Sequence, residues 1–580
     1  MKPLSLILIA IFAILQTACN TPSPVIVEEV EPQVAVATPP PATATPTTRS
    51  PSMLGPTNAI PAAKAKPTAK IAQAAVSKPK PKPKAPPAKS DSLTWGGNGH
   101  RNMVSTATGL STAYEAGDYK DDSEDVDMSL TKDVKWVVKL GSQSYGTPNI
   151  FKNRILLGTN NAIPRDPKLT GDRSVVLCLD EETGAYKWQL AVPKLGTGKV
   201  SDWEYLGICA APSFDPDGKH AYVVTNRCEL LCIDINGLAD GNDGPFKDEA
   251  KYLAGGKGSI EPGPTDGDII WLYDLREELG IFPHNITSSS TLVQGDTVII
   301  CTSNGVDWSH TNIPNPNAPI LAVFDKKTGE LLAEEASGVS KNILHGAWSS
   351  PAFATIDGKE QIILGGPDGW MYSFGTKPVE DEEGFMILPL NWKADGNPDG
   401  YRFRDGKPVK YAGADGPCEF ICSPVVYKNR VYAAIGQDPE HGEGPGNMLC
   451  FDPTKTGDVT KTGGILWQHV INRNISTAAI ADDLVYVADF SGYVYCFDAN
   501  DGTLYWQHET FSHIWGSCLA VDGKVYVGNE DGDLFCFKQG KEKELLHTSN
   551  LIAPIYTSPV AANGTLFVQT HTHLFAIEKK

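Results

Sequence analysis

The sequence predicts an all-β fold: an eight-bladed β-propeller of four-stranded blades, preceded by a signal segment and a disordered, proline-rich linker. Three observations lead there. A strand–turn–strand motif recurs, as in "YVYCFDANDGTLYW" (493–506), "VLCLDEETGAYKW" (176–188) and "LCFDPTKTGDVTKTGGILW" (449–467). A unit of this size, repeated, is the mark of a repeat architecture. Short alternating apolar runs are broken by DG, TG and NG turns, which are hairpin signals. No long amphipathic helix interrupts them, and "LREELG" (275–280) has room for one turn or two.

The N-terminus comes first. In "MKPLSLILIAIFAILQTAC", Lys2 precedes an apolar run that ends in small residues before Cys19. The run is short for a spanning helix and has the shape of an export signal. Residues 1–19 resemble a bacterial lipoprotein signal, which would make Cys19 the lipidated, membrane-anchoring residue. Gln16 departs from that pattern, because an apolar residue is usual three positions before the cysteine. Residues 20–92 are rich in Pro, Ala, Thr, Val and Lys and lack the large apolar groups a core needs. They predict a tether that reaches on the order of 200 Å when extended. The folded body is expected to span 93–580.

Within the body, the residue before the recurrent FD or LD pair serves as a ruler. It falls at Cys178, Cys232, Val323, Ser373, Cys450, Cys496, Cys536 and Ala576. Each copy follows an upstream strand such as "KVYVGNEDG", and several are preceded by an SP-like element such as "WSSPAF" or "YTSPVA". Each leads by a turn to a fourth strand, which carries Trp188, Trp271, Trp392, Trp467 or Trp506 in five copies. Four strands in eight copies make eight blades. The last copy lacks a fourth strand, and "DVKWVVKLG" (133–141) lies unassigned ahead of the first. Trp136 is therefore expected in the fourth strand of the final blade, closing the ring. Closure removes sheet edges and predicts a monomeric body.

Five cysteines sit at the ruler position, where a small hydrophobe packs against the next sheet. They are expected to be structural. The state of Cys209, Cys228, Cys418 and Cys422 stays open, with a Cys418–Cys422 disulfide as one alternative. The formal net charge of −19 excludes a nucleic-acid surface, which needs a basic stripe.

The repeat "strand, DG, (L/Y)-small-(F/L)-D, TG, Trp" resembles the pyrroloquinoline-quinone (PQQ) repeat. That repeat builds quinoprotein alcohol dehydrogenases and cofactor-free relatives, among them the propeller lipoprotein of outer-membrane assembly. "WGGNGHRNMVS" from Trp95, "HGAWSSPAF" from His345 and "GQDPEHGEGPG" from Gly436 resemble a narrower set of exported bacterial repeat proteins. The resemblance to dehydrogenases implies PQQ on a Trp floor and a bridging Ca²⁺. Two features common in that family are missing: no two cysteines are adjacent, and there is no C-x-x-C-H haem motif.

In a propeller, the connections into the first strands and the loops between strands two and three share one face. The first-strand entries place Tyr145, Glu204, His284, Asn285, His345, Trp348, Glu419, Asn474, Trp515 and Tyr556 at that mouth. Long insertions after Thr159, Asn304 and Gln437 are expected to converge there, where function concentrates. Asp438, Glu440 and Glu443 are carboxylate candidates for a hard metal ion such as Ca²⁺. Two functions follow as expectations. The first is a non-enzymatic envelope module, facing the periplasm, that binds an envelope protein or a polymer through this face. The alternative is a periplasmic PQQ- and Ca²⁺-dependent dehydrogenase of alcohols or sugars, with Glu419 and Asn474 as cation ligands and Trp515 as floor.

Overall fold

The computed structural model describes residues 89–440 and 444–580. The signal segment with Cys19, the linker up to residue 88, and Glu443 lie outside the described residues. Eight sheets of four or more strands carry the body, with one small hairpin besides. The first blade shows the pattern: Asn149–Phe151, Arg154–Asn160, Arg173–Asp180 and Tyr186–Pro193, ordered from inside to outside. Seven more blades follow, with first strands opening at Ser213, Leu292, Ala352, Val425, Ala479, Leu519 and Val560.

The ruler residues lie in third strands and are buried. Six of them face a tryptophan across the ladder: Cys178–Trp188, Cys232–Trp271, Ser373–Trp392, Cys450–Trp467, Cys496–Trp506 and Ala576–Trp136. Only a small side chain leaves room beside an indole at that spacing. Most of these indoles reach into the next blade. The Nε1–H of Trp188 donates to Ile235, that of Trp271 to Lys326 and that of Trp467 to Ala499, at 2.9–3.1 Å. The TG glycine of the neighbouring turn makes the space. A Cβ on Gly329 would come within 2.5 Å of Trp271, and φ there is +74°. The motif is thus a blade-to-blade clasp. Trp136, in Val134–Lys139, pairs with Ala576 of His573–Glu578, so the ring closes as expected.

The SP-like serines have their own task. They form an interrupted belt of hydroxyls around the channel. Ser290, Ser350, Thr477, Ser517, Ser558 and Thr147 each accept a bond from the backbone N–H of a neighbouring blade's equivalent residue.

Ser90 and Asp91 already bond Asn563, so contacts with the ring begin ahead of Leu93. Ser92–Ser105 then runs across one end of the channel. Its carbonyls accept bonds from first-strand residues Ile150, Phe214, Phe353, Val426 and Ala520. Asn102 bonds Ile480, and Ser105 bonds Ala561. Arg101 lies on the axis, wholly buried. Its five guanidinium contacts reach the carbonyls of Pro351, Trp95, Ser290 and Thr291 and the Thr94 hydroxyl, at 2.7–3.1 Å.

The expected short helix is present at Leu275–Leu279, capped by Asp274 and ended by Gly280 in the left-handed region. A second, Glu249–Leu253, sits in an insertion of the second blade. Among the described residues, no helix is long and apolar enough to cross a membrane. The described cysteines are free thiols. Cys418 and Cys422 point at the Pro445 and Ala434 carbonyls rather than at each other. Burial pushes the Cys178 and Cys450 thiols up to about 12, so they are inert apolar groups at neutral pH.

Candidate functional site

The end of the channel opposite Arg101 opens into a cavity of about 430 Å³. Rings wall it: Tyr145, Trp203, Trp348, Trp515 and Tyr556, with Asn285, Asp438 and Glu440 among the polar groups. A narrower space of about 150 Å³ continues between the belt serines to Trp95. Most of the aromatic wall comes from the residues just ahead of first strands, where each entry turns inward to the axis.

The rings are held rigidly. Trp515 stacks on Tyr556, with centroids 4.6 Å apart and planes 15° from parallel. Glu530 ties the pair together by accepting the Tyr556 hydroxyl at 2.6 Å and the Trp515 Nε1–H at 3.3 Å. Tyr145 meets Tyr556 edge-on at 5.2 Å, and burial raises the Tyr145 hydroxyl pKa, keeping it neutral. Across the cavity, Trp348 donates its Nε1–H to the His284 carbonyl at 3.2 Å.

Behind Trp348 is a polar cluster. The His284 and His345 rings are 4.1 Å apart, and His310 lies 5.0 and 5.1 Å from them. His345 Nδ1 is 3.1 Å from Asp438 Oδ2, and its Nε2 is 3.1 Å from His310 Nδ1. The Tyr411 hydroxyl is 2.7 Å from Asp438 Oδ2 and 2.8 Å from Glu419 Oε1. One hydroxyl proton cannot serve two carboxylates, so one acid must bring its own. Glu419 is that acid: it is fully buried, and burial followed by the Asp438 charge raises its pKa far above the usual range. The chain then runs from the Glu419 O–H to Tyr411 and from the Tyr411 O–H to Asp438. His284 is held neutral, its pKa lowered to about 3 by burial and by His345.

Five of the ten expected mouth residues line the cavity: Tyr145, Asn285, Trp348, Trp515 and Tyr556. His284, His345 and Glu419 are in the cluster behind the wall. Glu204 is exposed on the rim. Asn474 is buried, and its amide N–H donates to the Ala488 carbonyl. Of the carboxylate trio, Asp438 joins the cluster, while Glu440 is exposed at the cavity edge and donates its backbone N–H to Asp438 Oδ1. Two of the three long loops reach the site, bringing His310 and Asp438. The loop at 160–173 turns outward instead, with Leu169 packed on Ala191 and Leu253. His310, Tyr411, Trp203 and Glu530 were not among the expected residues. Only His310 carried a signal, as a histidine inside a long insertion.

A quinone with Ca²⁺ would need hard oxygen ligands converging beside an aromatic floor. Glu419 and Asn474 do not converge on the cavity, since both are turned into hydrogen bonds behind its wall. Tyr556 already covers one face of the Trp515 floor. The residues nominated for PQQ and Ca²⁺ do not fit that pair.

Residues 446–545, spanning the third strand of the fifth blade to the fourth strand of the seventh, match the family model described as outer membrane protein assembly factor BamB. That match covers under a fifth of the chain, whose described body folds as a β-propeller. No curated protein matches it. Among solved structures, this propeller is similar to BamB from Moraxella catarrhalis, at 15% identity over 76% of this chain and 99% of that one, with a TM-score of 0.48. It is also similar to a europium-containing methanol dehydrogenase, at 12% identity over 83% and 90% of the two chains, with a TM-score of 0.49. A third similar structure is the computationally designed Ika8 protein, at 12% identity over 75% and 97%, with a TM-score of 0.42.

Proposed function

We propose that the chain is an exported, envelope-located binding module, anchored through lipidated Cys19 and the 20–92 linker, that takes an envelope protein segment or polymer into the aromatic mouth without turning it over. The observation that carries this reading is the rigid aromatic wall around the 430 Å³ cavity. Aromatic rings held in place offer contact area at little entropic cost, which is why they dominate binding hot spots. Asn285 and Glu440 at the edge supply polar contacts that orient a ligand. The family model's description as an assembly factor supports a protein partner in the envelope.

The test is site-specific photo-crosslinking in cells, from position 143, where Gln143 lines the mouth, and from position 95 at the closed end. Crosslinks from 143 and not from 95, lost in Trp515→Ala, are expected. Membrane fractionation should follow Cys19, with Cys19→Ala released. Dye reduction by an alcohol or sugar that depends on added quinone and Ca²⁺ would replace this reading with the dehydrogenase.

A further inference from the structure

The geometry points to a transition-metal site built by His284, His310 and His345, with Asp438 as the outer support of His345. One ring nitrogen of each histidine lies within 4.8 Å of the other two. The three come from different parts of the ring. His284 and His345 precede first strands in neighbouring blades, and His310 comes down from the long insertion between them.

Each buried ring has one nitrogen turned outward, in His284 to a carbonyl and in His345 to a carboxylate oxygen. His284 Nδ1–H donates to the Val306 carbonyl at 2.6 Å. This sets the tautomer and leaves Nε2 with its lone pair. That Nε2 is buried and has no hydrogen-bond partner among the described residues. A buried imidazole nitrogen without a partner costs free energy that a cation would recover. His345 repeats the device with a carboxylate, since its Nδ1 faces Asp438 and its Nε2 faces His310. Asp438 is in turn held by Tyr411. A ligating histidine whose second nitrogen is anchored by a carbonyl or carboxylate is how proteins orient metal-binding imidazoles.

The spacing agrees. Ligand nitrogens about 2.05 Å from a tetrahedral ion stand about 3.3 Å apart. The His310–His345 pair is at 3.1 Å. His310 holds φ +52°, a left-handed conformation that a rigid loop must enforce. Three imidazoles suit Zn²⁺ and its first-row neighbours rather than Ca²⁺, and three protein ligands leave a coordination position for water or a ligand. Asp438 lines the cavity as well as supporting His345, so the site adjoins the mouth. The assignment does not depend on what the cavity binds.

The experiment uses the full chain, stripped with chelator, then loaded with Zn²⁺ or Co²⁺ and desalted. One metal per chain is expected, with Co²⁺ visible bands of a nitrogen-rich site that Zn²⁺ bleaches, and a melting temperature raised by the metal. His310→Ala should leave the metal-free chain folded, with a melting temperature lowered only by the lost His345 hydrogen bond, while abolishing the Co²⁺ bands and the further rise on metal addition. Asp438→Asn should weaken Zn²⁺ roughly 10–100-fold. Metal well below one per chain, or Co²⁺ bands unchanged in His310→Ala, would overturn the assignment.

Discussion

The two ends of the channel solve opposite problems with the same eight strands. At the closed end, one chain segment satisfies every blade. Its centre is a buried guanidinium with no carboxylate partner among the described residues, its charge solvated by five neutral oxygen contacts. At the mouth, the first-strand entries carry large rings and ionisable groups that leave space between them. Buried nitrogens and oxygens there stay incompletely paired, including His284 Nε2 and Asn474 Oδ1. Polar groups completely bonded to protein stabilise a fold. Groups held in place with spare valence are what a ligand needs. The difference teaches where substitutions should cost stability and where they should cost binding.

The sharpest break of this comparison is at Arg101. Arg101→Ala strands carbonyls entering the third and fourth blades at once, and unfolding by denaturant should show a loss of about 4 kcal/mol. Arg101→Lys should recover only part of it, since one ammonium cannot reach all five oxygens. A loss below about 1 kcal/mol would mean that the N-terminal segment lies on the ring without closing it.

A smaller effect separates the two ends by pH. Asp368, in the loop between the second and third strands of the fourth blade, is on the mouth side. It accepts the Tyr372 hydroxyl at 2.6 Å, and burial raises its pKa from 3.8 to about 6. The fold therefore holds this proton more tightly than the open chain does. Its contribution is complete below about pH 4 and lost as pH rises through about 6. At full size it is roughly 3 kcal/mol. The difference in stability between wild type and Asp368→Asn should slope downward across that window and flatten above it. The Arg101→Ala difference should be level there, because burial lowers the guanidinium pKa only to about 9.

The smallest expected change in stability is at Glu530. Glu530→Gln replaces a charged acceptor of two hydrogen bonds by a neutral one, at about 1 kcal/mol. The same substitution should loosen the Trp515–Tyr556 stack and so weaken capture at the mouth. A calorimetric melt and the crosslinking yield from position 143, measured together, test whether stability and binding separate as the comparison requires.

Much of the ring was legible because the repeat writes the same local contacts many times. The ruler cysteines, the tryptophans opposite them and the closing strand at Trp136 follow from strand alternation and turn spacing, which are properties of neighbouring residues. "WGGNGHRNMVS" stood out only by resemblance. Nothing local shows that Arg101 would span the axis, because its partners are contributed from Thr94, Trp95, Ser290, Thr291 and Pro351. At the mouth, position in the repeat groups Tyr145, Trp348, Trp515 and Tyr556, and the structure brings these four rings to one cavity. It could not show that Glu204 stays on the rim or that Glu419 turns away from the cavity.

The sequence alone determined the blade count, the closure and the face on which polar and aromatic entries gather, since each depends on periodicity along the chain. Only the tertiary structure decided which of those entries meet. His284, His310 and His345 come together across two blades and an insertion, and Tyr411 joins Glu419 to Asp438 from separate loops. Such contacts depend on how far each loop descends toward the axis. That is set by packing between blades, for which the chain carries no period.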